Sequence, residues 1–364
     1  MLALAVPLVA TVAGVDRAGT SEENREPAPM PPAPRDYASL MTWADGFTRY
    51  FADGFAFRSR LVRWQARFRV QVLHSSTTPD VILGRNDWLF YATDGATADY
   101  TSADPFSAED LETWRTTLQH TQDWLEARGV TYLFVITPDK HVIYPDQMPS
   151  GIHRIGRRRR ADELMTYLRT HSTVRAVDVT SALVRASAGA RLFHHTDTHW
   201  NDLGALAGYQ QVMANLGARV SPARTRADFE VQGATTYGFD LARMLGLASV
   251  LAEQDLRLEP RLPRRARIVE PAPARRDLME GRVVTERPGT LPRALVFRDS
   301  FGSAMIPFLS EHFSRAVYLW QNDVDPAEVI AEHPDVVIQQ WVGRHLHTAM
   351  PYDAVAALSE SRQQ

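Results

Sequence analysis

No cysteine occurs in the 364 residues, which excludes disulfides and thiolate metal sites. The absence fits an oxidising compartment without requiring one. Lysine is almost as scarce: Lys140 is the only one, and every other basic residue is arginine. A GC-rich genome accounts for the arginine bias, so the single exception calls for a reason of its own. Positive charge is not in excess either. A formal net charge of -3 argues against a nucleic-acid binder, whose surface is normally basic. No long apolar run is present. The N-terminal MLALAVPLVATVAGV is shorter than the ~20 residues a spanning helix needs, and Pro7 interrupts it. It also lacks the basic start of a secretory signal. We read it as the tail of a signal sequence or signal-anchor, with a hydrophobic helix of the fold as the alternative.

The remaining composition, 45% hydrophobic and 23% charged, is that of a globular protein with ample core material. Residues 21–36 (SEENREPAPMPPAPRD) are polar and proline-rich, a linker rather than a core element. Tyr37 to Leu73 is aromatic and then arginine-rich, with helical spacing. Val81 to Tyr91 (VILGRNDWLFY) places two apolar runs around a Gly/Asn/Asp turn, the pattern of a β-hairpin. Ser107-Ala108-Glu109-Asp110 is a capping-box pattern that starts a helix with Leu111, Trp114, Leu118 and Leu125 on one face.

From there strands and helices alternate. Strands are expected at Thr131–Thr137, Val174–Val179, Ala294–Phe297, Ala316–Trp320 and Val336–Gln340. Helices are expected at Arg160–His171, Leu203–Leu216, Pro326–Glu332 and after Gly302, through Met305, Ile306, Leu309 and Phe313. Such alternation predicts a parallel sheet covered by helices on both faces. Ala218 to Gly289 is less regular and reads as an insertion or lid. The resulting division is an anchor remnant and linker over 1–36, a helical and hairpin segment over 37–99, and an α/β domain over 100–357 with an irregular insertion at 218–289.

Ser300 follows the Ala294–Phe297 strand and opens the next helix. A serine on such a turn exposes its hydroxyl at the carboxyl edge of the sheet, near N–H groups able to stabilise an oxyanion. A helix cap is the plainer role for it. The partner is Asp197-Thr198-His199-Trp200. Residues two apart in an extended segment share a face, so Asp197 can hold one imidazole nitrogen of His199 while the other meets a nucleophile. Asn201 or Asp202 then caps the following helix. Ser300, His199 and Asp197 make a nucleophile, a base and an orienter for acyl transfer. The density of His194, His195, Asp197 and His199 leaves a metal site as the rival reading, although His194 and His199 lack a helical i, i+4 spacing.

Together these residues resemble the SGNH-hydrolase-like proteins of the alginate O-acetyltransferase type, the AlgJ/AlgX group. The similarity extends to Glu23-Asn24-Arg25, to Phe51 to Arg58 (FADGFAFR), to the Gly84 to Tyr91 hairpin and to Thr137 to Pro145 (TPDKHVIYP). Asp-x-His precedes the serine, as in the permuted motif order of that group. The usual glycine before Asp-Ser is Arg298 here. Trp341-Val342-Gly343-Arg344 stands where a Gly-x-Asn-Asp block is usual.

The resemblance implies an SGNH-like parallel sheet with circularly permuted motifs and a periplasmic O-acetyltransferase acting on an exopolysaccharide through an acyl-serine. It also implies a membrane-bound O-acyltransferase as acetyl donor and attachment to the inner membrane through the N-terminus. No cofactor, metal or nucleic acid is expected. An esterase or deacetylase with the same triad and a non-catalytic polysaccharide-binding protein are the alternatives. Asn322, Asp299, Arg298 and Arg344 are candidates for the oxyanion hole or its support. Lys140, Tyr144 and Trp200 are candidates for substrate binding, and Lys140 alternatively orders the floor of the site. Arg157 to Arg160 contact a polyanionic glycan or form a solvated face.

Overall fold

The computed structural model describes residues 9–11, 28–270 and 281–361. Most of the N-terminal apolar run, Glu23-Asn24-Arg25 and residues 271–280 of the irregular 218–289 stretch lie outside them. Among the described residues no helix is long and apolar enough to cross a membrane. The chain divides into two compact units. One comprises Met1–Leu83 with Tyr237–Ala252, the other Gly84–Thr236 with Glu253–Gln364.

The first unit contains helices α1 (Tyr37–Gly54) and α2 (Arg58–Gln71), strand β1 (Val81–Leu83) and a short helix at Asp240–Met244. Asp36 and Ser39 close a capping box at the start of α1. The ring centroids of Trp43, Phe47, Phe51 and Phe55 follow one another at 4.9, 6.3 and 6.2 Å. Their spacing of four residues places them on one helical face, which is the pattern the sequence shows.

The second unit begins at the hairpin turn. Asn86 and Asp87 adopt φ of 52° and 63°, a left-handed geometry that Asn and Asp tolerate better than other residues with a Cβ. The turn is closed by Gly84 N–H donating to Trp88 O at 2.7 Å. There follow β2 (Leu89–Tyr91), α3 (Ala96–Thr101), α4 (Ala108–Glu126), β3 (Thr131–Thr137), α5 (Lys140–Ile143), α6 (Arg160–His171), β4 (Ala176–Asp178), α7 (Thr180–Ser187) and α8 (Asp202–Leu216). Strands β5 (Phe229–Thr236) and β6 (Glu253–Pro260) pair as an antiparallel ribbon. The chain continues through β7 (Arg267–Ile268), β8 (Val283–Glu286), β9 (Arg293–Arg298), α9 (Ser300–Ser303), α10 (Ile306–Leu309), β10 (Arg315–Trp320), α11 (Pro326–Glu332) and β11 (Val336–Val342). A 3-10 helix at Gly343–His347 follows β11.

Seven strands form the main sheet in the order β4-β3-β11-β9-β10-β8-β7. The five strands from β4 to β10 are parallel, as the alternation predicts. Strands β8 and β7 add an antiparallel edge. The sheet is therefore mixed, and part of the stretch read as an irregular insertion completes it. Its short strands escape a periodicity argument because β7 has only two residues.

Helix α4 sends Trp114, Leu118 and Leu125, and α6 sends Leu164 and Leu168, into a buried cluster with Tyr132, Phe134, Leu295, Phe297, Val337 and Trp341. Helix α8 packs against β3 and β4. Burial on both faces explains why the central strands read as unbroken apolar runs. The helix expected after Gly302 is broken into α9, α10 and a 3-10 turn at Ser310–His312. Pro307 is the cause, since it has no N–H to continue the ladder and its ring crowds the preceding turn.

Trp114 is fully buried and sits edge-on to Trp341 with ring centroids 4.9 Å apart. Trp114→Ala is expected to cost about 3–5 kcal/mol in a urea unfolding experiment, the usual loss for an aromatic truncated in a core.

Candidate active site

Ser300 sits where β9 turns into α9, at the carboxyl edge of the sheet, and the turn is built by its neighbours. The buried Asp299 carboxylate accepts from Phe301 N–H at 2.9 Å, Gln340 Nε2 at 2.9 Å and Val342 N–H at 2.6 Å. The Gln340 Oε1 accepts in return from Asp299 N–H at 3.2 Å and Gly302 N–H at 3.1 Å. A Cβ on Gly302 would stand 2.7 Å from both Arg298 Cβ and Gln340 Oε1, so only glycine fits there. These bonds engage the N–H groups of Phe301 and Gly302, which a plain strand-to-helix turn would offer to an oxyanion.

Arg298 replaces the usual glycine without opening the turn because its side chain runs inward. It is fully buried and donates to Ser303 Oγ at 2.6 Å and Gly281 O at 3.2 Å, with its guanidinium 5.3 Å from the Trp320 ring centroid. Burial lowers its pKa to about 10.

The second half of the site is the loop from His194 to His199. Asp197 Oδ1 meets His199 Nδ1 at 2.7 Å and also accepts the His199 backbone N–H at 2.9 Å. Burial alone would raise the Asp197 carboxyl, but the facing His199 and its hydrogen bonds outweigh that and hold it well below the usual range. A Phe193–Trp200 bridge closes the loop. Asn201 caps α8 by accepting from Leu203 and Gly204 N–H at 3.0 and 3.1 Å.

Two buried groups hold this loop from different sides. Lys140 donates to the carbonyls of His194, His195 and Asp197 at 2.9, 3.0 and 2.7 Å. An ammonium is compact and aims its donors in three directions, whereas a guanidinium is a planar fork. That is a physical reason for the one lysine in the chain. Glu253, from the start of β6, accepts from His195 N–H at 3.1 Å, Thr196 N–H at 2.7 Å and the Thr196 hydroxyl. Its pKa falls to about 2: burial would raise it, and hydrogen bonds from His194 and Thr196 lower it further than that.

Trp200 joins the two halves. Its Nε1 donates to Phe301 O at 3.2 Å, and its ring fills a slot that a Cβ on Gly208 would crowd at 2.9 Å. The His199 ring lies 5.1 Å, centroid to centroid, from the ring of Phe301, the residue after Ser300.

The other sequence candidates divide by burial and bonding. Lys140 and Trp200 are each 2% exposed, which leaves no face for a glycan and gives them the work of holding the loop. Tyr144 accepts from Leu192 N–H at 2.9 Å through its hydroxyl, and its ring packs on Trp88 at 4.4 Å. Arg344 bonds Asp139 at 2.5 Å and stands over the rings of Tyr91 and Phe301. Asn322 lends its carbonyl to Gln339 Nε2 at 2.7 Å and Trp341 Nε1 at 2.9 Å. Residues 339 and 341 point to the sheet face opposite Gln340.

Within the arginine run, Arg159 pairs with Asp162 and Asp178, and Arg160 with Asp104. In the histidine-rich loop, His199 Nδ1 is given to Asp197, His194 Nδ1 lies 3.4 Å from Glu253, and His195 packs on Trp88. Glu253 and Gln340 are the residues that sequence reasoning missed. Glu253 lies in the stretch without legible pattern. Gln340 left a signal, as two glutamines end an otherwise apolar strand.

Lys140→Arg is expected to destabilise the protein by about 1–3 kcal/mol in urea, whereas a surface lysine would change stability by less than ~0.5 kcal/mol. Glu253→Gln should act through pH. A carboxylate whose folded pKa is depressed stabilises above its unfolded pKa of about 4.3, and the gain is lost as pH falls. The stability gap between wild type and Glu253→Gln should therefore narrow by on the order of 3 kcal/mol between pH 5 and pH 2, followed by urea unfolding.

With this geometry in hand, the chain can be compared with known proteins. The probable alginate O-acetylase AlgJ of Pseudomonas syringae pv. tomato is 28% identical over 186 residues, covering 48% of this chain and 44% of the relative. The probable alginate O-acetylase AlgJ of Azotobacter vinelandii is 25% identical over 151 residues, covering 40% and 34%. The matches thus span less than half the length of these curated relatives. Among solved structures, Bacillus cereus PatB1 aligns with a TM-score of 0.53 at 17% identity, over 72% of this chain and 95% of its own. A DHHW family protein from Eubacterium siraeum aligns with a TM-score of 0.52 at 14% identity, over 77% and 98%. These two show a shared fold. The profile described as SGNH hydrolase-like domain, acetyltransferase AlgX, matches residues 81–285, more than half of the sequence, and the chain belongs to that family.

Proposed function

We propose that this protein is a serine-dependent O-acetyltransferase that places acetyl groups on hydroxyls of an exopolysaccharide. The observation that carries the reading is the Asp197–His199 pair at 2.7 Å, tied to the Ser300 turn through the Trp200–Phe301 bond. In the reaction His199 takes the Ser300 proton as Oγ attacks the acetyl carbonyl of the donor. Asp197 holds the tautomer and stabilises the imidazolium that forms. The tetrahedral intermediate collapses to an acetyl-serine, and His199 returns its proton to the leaving group. A sugar hydroxyl then attacks the acetyl-serine, with His199 as base and Ser300 as leaving group. Asp299, Gln340, Arg298 and Arg344 support the turn, and Lys140, Glu253 and Trp200 position the histidine loop.

A polysaccharide acceptor is favoured over water by the family and by the relatives' description as alginate O-acetylases. Acetyl-CoA does not reach the periplasm, so a membrane-bound acyltransferase would deliver the acetyl group. The proline-rich linker and apolar start support a periplasmic location next to the inner membrane.

A sulfonyl fluoride tests the nucleophile, because it captures an activated serine hydroxyl much faster than an ordinary one; PatB1 has been described with a sulfonyl adduct. Wild type is expected to gain one sulfonyl group by intact mass, on the peptide containing Ser300, while Ser300→Ala and His199→Ala gain none. On an activated acetyl ester, Ser300→Ala, His199→Ala and Asp197→Ala should each lose several orders of magnitude in turnover. The double variants should be little worse than the singles, since the three act as one unit. Full labelling or turnover in Ser300→Ala removes the serine mechanism.

A further inference from the structure

The first unit presents a surface that the proposed reaction does not use. Helix α2 reads RSRLVRWQARFRVQ, with five arginines and no acidic residue. Its inner face is Val62, Ala66 and Val70, which are buried or half-buried. At about 100° per residue, Leu61, Trp64, Phe68 and Val72 fall on the other side within an arc of about 80°. All four stay open to solvent, Trp64 at 69% and Val72 at 60%. The Trp64 and Phe68 rings stack along this row with centroids 5.9 Å apart. Single exposed apolar residues are ordinary, whereas four in one row, two of them aromatic, mark a surface that meets a partner.

Arginine borders the row on both sides, with Arg60 and Arg67 along one edge and Arg58 and Arg69 along the other. Arg67 gives its Nε to the neutral side chain of Gln71 at 2.8 Å, a bond that keeps its full charge. Arginine stems widen an apolar strip while their guanidiniums rise at its margins.

This pattern selects the occupant. A second copy would lay arginines against arginines, and like charges across an interface are costly. Fourteen residues of helix reach only about 21 Å, too short to cross a bilayer. An apolar strip edged by guanidiniums instead matches the boundary between acyl chains and phosphate headgroups, where tryptophan also concentrates. Lipid supplies both layers, apolar and anionic, at the depths these side chains reach.

We infer that α2 is an interfacial helix that lies flat on an anionic phospholipid surface. The row from Leu61 to Val72 enters the acyl boundary, and the flanking arginines meet the phosphates. The contact is independent of the acetyl transfer proposed above and of the apolar run at the start of the chain.

The absence of cysteine makes the test direct. Gln65→Cys, at an exposed position next to Trp64 and one turn from Leu61, gives the full chain a single thiol for the environment-sensitive fluorophore NBD. With vesicles of phosphatidylethanolamine and phosphatidylglycerol, NBD emission is expected to shift to the blue and to be quenched by nitroxide-bearing lipid. With phosphatidylcholine vesicles, or in 1 M salt, the shift should be largely lost. Arg60→Gln with Arg67→Gln should weaken binding to the anionic vesicles roughly 25-fold, at about fivefold per charge. Trp64→Ser with Phe68→Ser should weaken it at least about 10-fold. Both pairs are exposed, so the folded fraction, followed by circular dichroism, should not change. A label that stays in water on anionic vesicles overturns the inference even if the chain sediments with them, since another segment then carries the binding. So does a label already buried without vesicles, which assigns the row to this chain, or one buried as protein concentration rises, which assigns it to a second copy. A shift with poly-glutamate and none with vesicles assigns it to an acidic protein and equally rejects the bilayer.

Discussion

The bond set of the Lys140 ammonium is the constraint on which the site depends. A buried ammonium is expensive unless its donors are satisfied, and here three carbonyls of a single loop satisfy them. The arrangement works in both directions. The loop dipoles offset the cost of burying the charge, and the charge draws together backbone oxygens that would otherwise repel one another. The rings of Trp88 and Phe90, 5.6 and 5.3 Å from the nitrogen, add a weakly attractive wall. Asp197 and His199 inherit their geometry from this knot, since the Asp197 carbonyl is one of its three ligands.

The serine half is organised by a carboxylate instead. Asp299 collects donors from the helix start, from β11 and from the Gln340 side chain, so the turn is fastened to the neighbouring strand rather than hanging from its own. Gln340 is a two-faced link: its Oε1 receives backbone N–H groups of the turn, while its Nε2 donates to Asp299 and to Thr137 Oγ1 at 2.9 Å. A polar network at the end of a buried strand is stable only when every member is satisfied, and this one reaches from β3 through β11 to β9. The two halves then meet through aromatic contacts, Trp200 with Phe301 and His199 with Phe301. Rigid rings keep the motifs together without placing a further charge beside the pair.

Chain segments that share no local pattern supply the buttresses. The β5–β6 ribbon contributes Glu253, and the edge strands β7 and β8 extend the sheet beyond β10. The arginines read as a run separate in the same way. Arg159 and Arg160 are spent on carboxylates from α6, from the end of β4 and from the turn before α4, a use that sequence adjacency does not reveal.

The local signals in the sequence were enough to determine the α/β class, the five parallel strands, the turn at Asn86-Asp87, the cap at Ser107, a cap at Asn201 or Asp202, and the pairing of Asp197 with His199. Each rests on residues within a few positions of one another, where backbone geometry and side-chain reach are set by chemistry alone. The singularity of Lys140 was also legible, although not its partners. Tertiary structure alone decided the rest. It broke the helix after Gly302, turned the edge of the sheet antiparallel and brought Glu253 and Gln340 under the two motifs. It spent the Phe301 and Gly302 N–H groups on the turn and set His141 and His347 against the two oxygens of the buried Asp99. The physical reason is that a hydrogen bond or an ion pair depends on distance in space. Burial decides how much each is worth, and neither quantity is written in the spacing of residues along the chain.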